Sequence, residues 1–249
     1  MGFVVDHINL RSDRRIYAEF VHFFTQETAP AADYNGKVYL EEKYRLATSP
    51  NGNGGWYSSM AKHGMLDIVR RNGIEWLNVF AVDNVLQRIA DPLFIGATKL
   101  AHCEVGSKVI KKAAPDERVG VMCLEDGHPS IVEYYELTDE MRNAKNEKGE
   151  PAYNFGVILN YLFRVDALDG IMEKSLPLHV VEENGQHVTP EKPNGFKYET
   201  LILDMIRLLN GCMVFEVERA REFAPVKNRT GVDSVDTARE LLVRNSVEL

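Results

Sequence analysis

Asp83 and Asn84 close the apolar run EWLNVFAVDN (75–84), and Lys227 stands far along the chain in the aperiodic stretch FAPVKN (223–228). A carboxylate at the end of a strand reads in two ways. It can cap the helix that the following NVLQRIA suggests, or it can hold a hard divalent cation such as Mg²⁺, which takes one or two carboxylates together with phosphate oxygens and water. A loop lysine is ordinarily solvated; folded over a ligand, it becomes a point charge for a phosphoryl group. Glu133 and Tyr134 in IVEYYEL are neighbours that strand alternation sends to opposite faces. Cross-strand pairing is one role for them, and acceptance of hydrogen bonds from a sugar hydroxyl by Glu133 is the other.

The stretch NGNGGWYSSM (51–60) sets Gly52, Gly54 and Gly55 in one turn ahead of a helix-like pattern. Glycine adopts backbone angles closed to other residues and lets another group approach the main chain closely. A flexible surface loop and a ligand-binding turn both fit these residues.

Other chemistries lack their residues. His179 and the other six histidines show no ligand spacing with cysteines or carboxylates, which argues against zinc. There is no GxSxG elbow and no paired Cys and His, so a covalent nucleophile has no support. Three separated cysteines, Cys103, Cys123 and Cys212, do not make a disulfide framework and suit a reducing compartment. A net charge of −8, from 37 acidic against 29 basic residues without a dense basic patch, argues against nucleic acid as a partner. No run of about 18 apolar residues reads as a membrane span, and MGFVVDHINL lacks a signal peptide's uninterrupted apolar core. A cytoplasmic protein is the expectation, with the sequon at Asn228 idle.

The elements that must position these residues alternate. A strand-like KVYL leads through the glycine turn to the helical spacing of WYSSMAKHGMLDIVRRNG (56–73), and then to the strand ending at Asp83. Strand, turn, helix, strand is the order of an α/β doubly wound sheet, in which ligands sit beyond the carboxyl ends of the strands. A helix through 85–103, broken near Pro92, precedes three β-rich pieces, GSKVIKKA, RVGVMCLED and SIVEYYELT, the last two joined by a turn at Gly127-His128-Pro129. Residues 155–175 form an amphipathic segment and 184–195 a Gly/Pro loop. YETLILDMIRLLNG reads as a buried helix, MVFEVERA as a strand and DTARELLVRN as a last helix.

Six phrases in register resemble the eukaryotic-type UDP-N-acetylhexosamine pyrophosphorylases, relatives of UTP–glucose-1-phosphate uridylyltransferase. They are FFTQETAPA, GKVYLEEKYRLATSPNGNGGWYSSM, VFAVDNVLQRIADPLFIG, GSKVIKKAAPDERVGVMCLEDGHPSIVEYYEL, KPNGFKYETLILDMI and VFEVERAREFAPVKN. The resemblance implies a Rossmann-like nucleotidyltransferase mixed sheet flanked by helices, with a β-rich insertion. It implies a partial catalytic domain over 20–240, an unassigned segment 1–19 and a helix end or tail at 241–249. The implied reaction is UTP plus N-acetylglucosamine 1-phosphate giving UDP-N-acetylglucosamine and pyrophosphate, with Mg²⁺ as cofactor. Position by position it implies that Gln26 and the main chain at Gly52 meet the uracil, and that Asn53, Glu133 and Tyr134 meet the sugar. Asp83 would hold the metal, and Lys227 and Lys197 would neutralise phosphoryl oxygens.

The chain also departs from that pattern. The glycine-rich loop LGGGxGTRLG, and with it the first βαβ unit, has no counterpart. In the sugar pocket Val157 stands where the family has Asn, and Leu201 and Leu203 stand where it has aromatics. The expectations are little or no turnover by the chain alone and self-association over an exposed sheet edge. The alternative is a catalytically inactive nucleotide-sugar binding or regulatory homologue.

Overall fold

The computed structural model describes residues 21–172, 176, 179–183 and 194–247. Segment 1–19 lies outside this range, as does most of the Gly/Pro loop. The described chain opens with five short strands, β1 (Thr28–Pro30), β2 (Ala32–Asp33), β3 (Leu40–Glu42), β4 (Arg45–Leu46) and β5 (Thr48–Pro50). The glycine turn then leads into two helices, α1 (Trp56–Lys62) and α2 (Met65–Arg71). The single helix expected over 56–73 is cut by Gly64, whose φ of 73° no continuing helix accommodates.

β6 (Trp76–Phe80) follows, and Asp83 lies just beyond its carboxyl end, as the α/β grammar requires. The helix expected from residue 85 begins only at Pro92: α3 (Pro92–Leu100) has Pro92 in its first turn and Asp91 as its cap, accepting from Leu93 N at 3.1 Å. Residues 84–90 turn instead, tied to the sheet through Asn78, which receives Ala90 N (2.9 Å), and Asn160, which donates to Gln87 (2.7 Å).

Next come β7 (Val105–Lys111), β8 (Val121–Glu125), β9 (His128–Val132), α4 (Asp139–Asn143), β10 (Phe155–Arg164) and α5 (Val165–Met172). The amphipathic segment from 155 is thus half strand and half helix. The hairpin between β8 and β9 turns at Asp126-Gly127, both with positive φ (52° and 80°), starting one residue earlier than the Gly127-His128-Pro129 turn expected. The chain ends with β11 (His179–Glu183), β12 (Gly195–Glu199), α6 (Ile202–Arg207), β13 (Cys212–Glu216), α7 (Arg219–Glu222) and α8 (Val235–Val247).

The central sheet runs β13-β7-β10-β8-β9, with β6 also on β10. Only β13 and β7 are parallel, so the sheet is mixed. β7 is buried over six consecutive residues, because β13 and β10 flank it and helices cover both faces. On one face Val105, Val109 and Phe163 join Tyr57, Leu66, Leu168, Ile202 and Ile206 in the main core. On the other, Ile110 and Ile158 meet Val119, Val217 and Phe223. α3 lies close over β7 there, since a Cβ at Gly106 would come within 2.5 Å of Thr98 Oγ1 and 2.8 Å of Phe94. β6 pairs with β10 and has no second neighbour among the described strands.

Gly96, inside α3, is different, because a Cβ there meets nothing within 4 Å. Gly96→Ala is expected to raise the unfolding free energy by about 0.5–1 kcal/mol, read as a higher denaturant midpoint with unchanged slope.

Candidate functional site

Asn53, Asp83, Glu133, Tyr134 and Lys227, five of the expected site residues, line a single cavity of about 230 Å³. They come from four separate segments, and each is brought there by a local device. The turn at 51–55 packs on the chain at 199–201. Gly54 N donates to Thr200 O (2.7 Å), and Thr200 N donates to Asn51 O (2.8 Å). A Cβ at Gly52 would lie 2.3 Å from Thr200 O, and one at Gly54 2.8 Å from the Leu201 backbone. The glycines are therefore required by this backbone-on-backbone approach. Asn53 Oδ1 then accepts from Ile202 N (2.9 Å) at the start of α6, which leaves its amide NH₂ as the group to offer the cavity.

Asp83 reaches its place through its neighbour. Asn84, 4% exposed, donates to Glu222 O (2.8 Å) and accepts from Ala224 N (2.8 Å). Val226 N bonds to Asp83 O (2.9 Å), and Lys227 N to Asp233 O (2.8 Å). These bonds clip the turn after β6 to the loop before α8, so Asp83 and Lys227 meet from positions 144 residues apart (227 minus 83). Asn84 is a positioning residue whose only sign in the sequence is its place beside Asp83. Asn84→Ala leaves a buried carbonyl and a buried amide without partners, at about 1–3 kcal/mol each. The expected result is a loss of at least about 2 kcal/mol in a urea titration.

Asp83 is not a helix cap, because no helix follows it. Its carboxylate is half-buried, and neither it nor the Lys227 ammonium has a hydrogen bond or ion pair among the described residues. A hard oxygen donor left without a partner beside a phosphate-sized space fits a magnesium ion that arrives with phosphates. It does not suit a metal held by protein alone, since among the described residues no three His, Cys, Asp or Glu side chains converge.

β9 ends at Val132, and Glu136 N turns back onto Glu133 O (2.9 Å). Glu133 and Tyr134 thus lie in a turn and not on a strand, which lets both face the same cavity where alternation would have separated them. Another part of the lining comes from an irregularity in β10. Its register with β7 shifts between Val157 and Tyr161, and Leu159 takes a φ of 48°, unusual for a branched residue. Such bulges re-aim side chains, and here Val157, Leu159 and Tyr161 all line the cavity. Burial, with the Glu133 charge adding, holds the Tyr161 phenol far above its ordinary pKa and therefore neutral. Leu203 lines the cavity too, whereas Leu201 is buried outside it.

Gln26 and Gly52 meet beside this cavity. Gln26 Nε2 donates to Asn51 Oδ1 (2.7 Å) and to Gly52 O. Gln26 lines a second, open groove with Thr28, Pro30, Asn51, Tyr198 and Thr200. Lys197, on β12 one residue before Tyr198, lines neither cavity. Arg118, which no sequence signal marked, does line the first.

Behind the site, Lys108 is fully buried in β7. Its ammonium bonds to Asp91 Oδ2 (2.8 Å) and to Glu222 Oε2, and it lies 5.5 Å from the Phe94 ring centre. Glu222 is the residue whose carbonyl Asn84 holds, so the ion group anchors the clip that sets Asp83.

The sequence profile of the family described as UTP–glucose-1-phosphate uridylyltransferase matches residues 9–245. Human UDP-N-acetylhexosamine pyrophosphorylase-like protein 1 is 40% identical over 235 residues, which is 90% of this chain and 46% of that protein. The UDP-N-acetylglucosamine pyrophosphorylase of Saccharomyces cerevisiae is 33% identical over 237 residues, 89% of this chain and 50% of that one. The crystal structure of the uridine diphosphate N-acetylglucosamine pyrophosphorylase from Trypanosoma brucei, in complex with inhibitor, superposes with a TM-score of 0.81. Its identity is 27%, over 92% of this chain and 48% of that chain. The chain thus spans about half the length of the curated relatives it matches.

Proposed function

We propose, from the premise that this chain belongs to the UTP–glucose-1-phosphate uridylyltransferase family, that its cavity takes part in uridylyl transfer between UTP and N-acetylglucosamine 1-phosphate. One observation carries the reading: Asp83, Lys227, Asn53, Glu133 and Tyr134, drawn from four separated segments, line one cavity. An oxygen of the sugar phosphate forms a bond to the α-phosphorus as the bond from that phosphorus to the pyrophosphate oxygen breaks. No covalent enzyme intermediate is needed, and the protein contributes position and charge.

In this reading Lys227 neutralises the phosphoryl oxygens, as a mobile point charge can. Glu133 accepts from the sugar hydroxyls, the Asn53 amide donates to the sugar, and Tyr134 borders the N-acetyl group. Gln26 meets the uracil from the adjoining groove, with the Gly52 main chain beside it through the Gln26 bond to Gly52 O, although neither Gly52 nor Lys197 lines either cavity. Asp83 would hold Mg²⁺, which when bound supplies charge neutralisation of the phosphates. Val157 and Leu203 make the sugar end more apolar than an Asn and an aromatic would. The side of β6 that no described strand pairs with is where a second copy would associate.

The test is formation of UTP from UDP-N-acetylglucosamine, pyrophosphate and Mg²⁺ by the purified chain, run beside calorimetric binding of UDP-N-acetylglucosamine. Turnover or saturable binding supports the reading. Neither at millimolar ligand would end it.

A further inference from the structure

We propose that Arg118 is a second phosphate-binding cation of the cavity and grips the phosphate on the sugar side of the ligand. The inference rests on the uridylyl-transfer reading and deepens it.

Arg118 follows a loop that is fixed on both sides. The Glu117 carboxylate accepts from Ala113 N (2.6 Å) and takes the Arg219 guanidinium through two nitrogens (2.6 and 3.2 Å). Lys112 Nζ donates to Pro115 O (2.7 Å), and Val119 N donates to Glu117 O (2.9 Å). On the other side Val119 is 8% exposed in the core with Ile110, Ile158 and Phe223. Between these anchors Arg118 is presented to the cavity by an ordered backbone.

Its guanidinium is uncommitted. Arg45, Arg70, Arg164 and Arg219 each pair with a carboxylate. Arg118 has no ion pair or hydrogen bond among the described residues, although Glu133 lines the same cavity. In a chain of net charge −8, two unpaired cations, Arg118 and Lys227, therefore open onto one cavity. A guanidinium matches two oxygens of a phosphate at once, which an ammonium does not. Arg118 is two residues from Gly120, where a Cβ would lie 3.6 Å from Oε2 of Glu133, the residue assigned above to the sugar hydroxyls, so the phosphate assigned to Arg118 is the one joined to the sugar.

The experiment is calorimetric titration of the full chain with UDP-N-acetylglucosamine, N-acetylglucosamine 1-phosphate and uridine, comparing wild type with Arg118→Ala and Arg118→Lys. Arg118→Ala is expected to weaken both phosphate ligands roughly ten- to a hundredfold, to leave uridine binding and the thermal midpoint unchanged, and to lose less as salt rises. Arg118→Lys is expected to recover part of the loss. Equal binding of the phosphate ligands by wild type and Arg118→Ala, or an equal loss for uridine, overturns the role of Arg118 and leaves uridylyl transfer standing. A wild-type chain that binds none of the three removes both.

Discussion

Replacing Lys108 by methionine is expected to lower the unfolding free energy by about 3–5 kcal/mol, the range for removing one partner of a buried ion group. Lys108 is 0% exposed, and Asp91 and Glu222 are 8% and 6% exposed, so water cannot take over the charges left behind. The pH dependence makes the argument specific. Burial opposes ionisation of Asp91, but the hydrogen bond and charge of Lys108 outweigh it and hold the carboxyl below its ordinary value. A depressed carboxyl contributes stability that is present above its unfolded-state value, near about 3.9, and lost as pH falls through the folded-state value. In Lys108→Met the largest lowering contributions are gone, leaving burial against the Leu93 amide and the Arg88 charge, so the carboxyl is less depressed and contributes less of this pH-dependent stability. Urea titrations at about pH 5 and about pH 3 should therefore find that the wild type loses more stability over this interval than the variant does. Adding Asp91→Asn and Glu222→Gln should restore much of the loss, since Asn still caps α3. An unchanged midpoint in Lys108→Met, or a triple variant no better than the single one, would contradict a charge-based role.

Asp83→Ala is expected to reduce Mg²⁺-dependent turnover by about 10²–10³-fold, the scale for removing one electrostatic contact made to the reacting group. If the chain alone turns over too slowly to follow, the same claim is tested by binding. Mg²⁺ should tighten UDP-N-acetylglucosamine binding to wild type and have no such effect on the variant. The carboxylate is half-buried and has no protein partner among the described residues, so its removal should leave the thermal midpoint nearly unchanged. A variant that keeps full magnesium dependence would exclude Asp83 as the ligand and leave the cavity to bind the nucleotide sugar through its cations alone.

Much of this was present in residue order. Apolar EWLNVFAVDN had to be a strand, and its carboxyl end had to carry Asp83 toward any ligand, because an α/β sheet offers its site at that edge. Pro92 behind Asp91 could start a helix and not sit within one. The six family phrases named the neighbours of Asp83 and Lys227 before any fold was known. What residue order left open was decided by contacts between distant backbones. Glu133 and Tyr134 share a cavity only because β9 stops one residue short of them, and strand alternation cannot report where a strand stops. Residue order does not tell that the close approach Gly52 and Gly54 permit includes the chain at 199–201. Asn84 and Lys108 carry no local signature, since their roles exist only once Glu222 lies beside them, and Arg118 is an ordinary loop arginine until the clamp at Glu117 turns it to the cavity. Local pattern thus determined most of the elements and the family resemblance pointed to the candidate site residues, whereas long-range hydrogen bonds and a buried ion group, invisible to periodicity, decided how those residues meet.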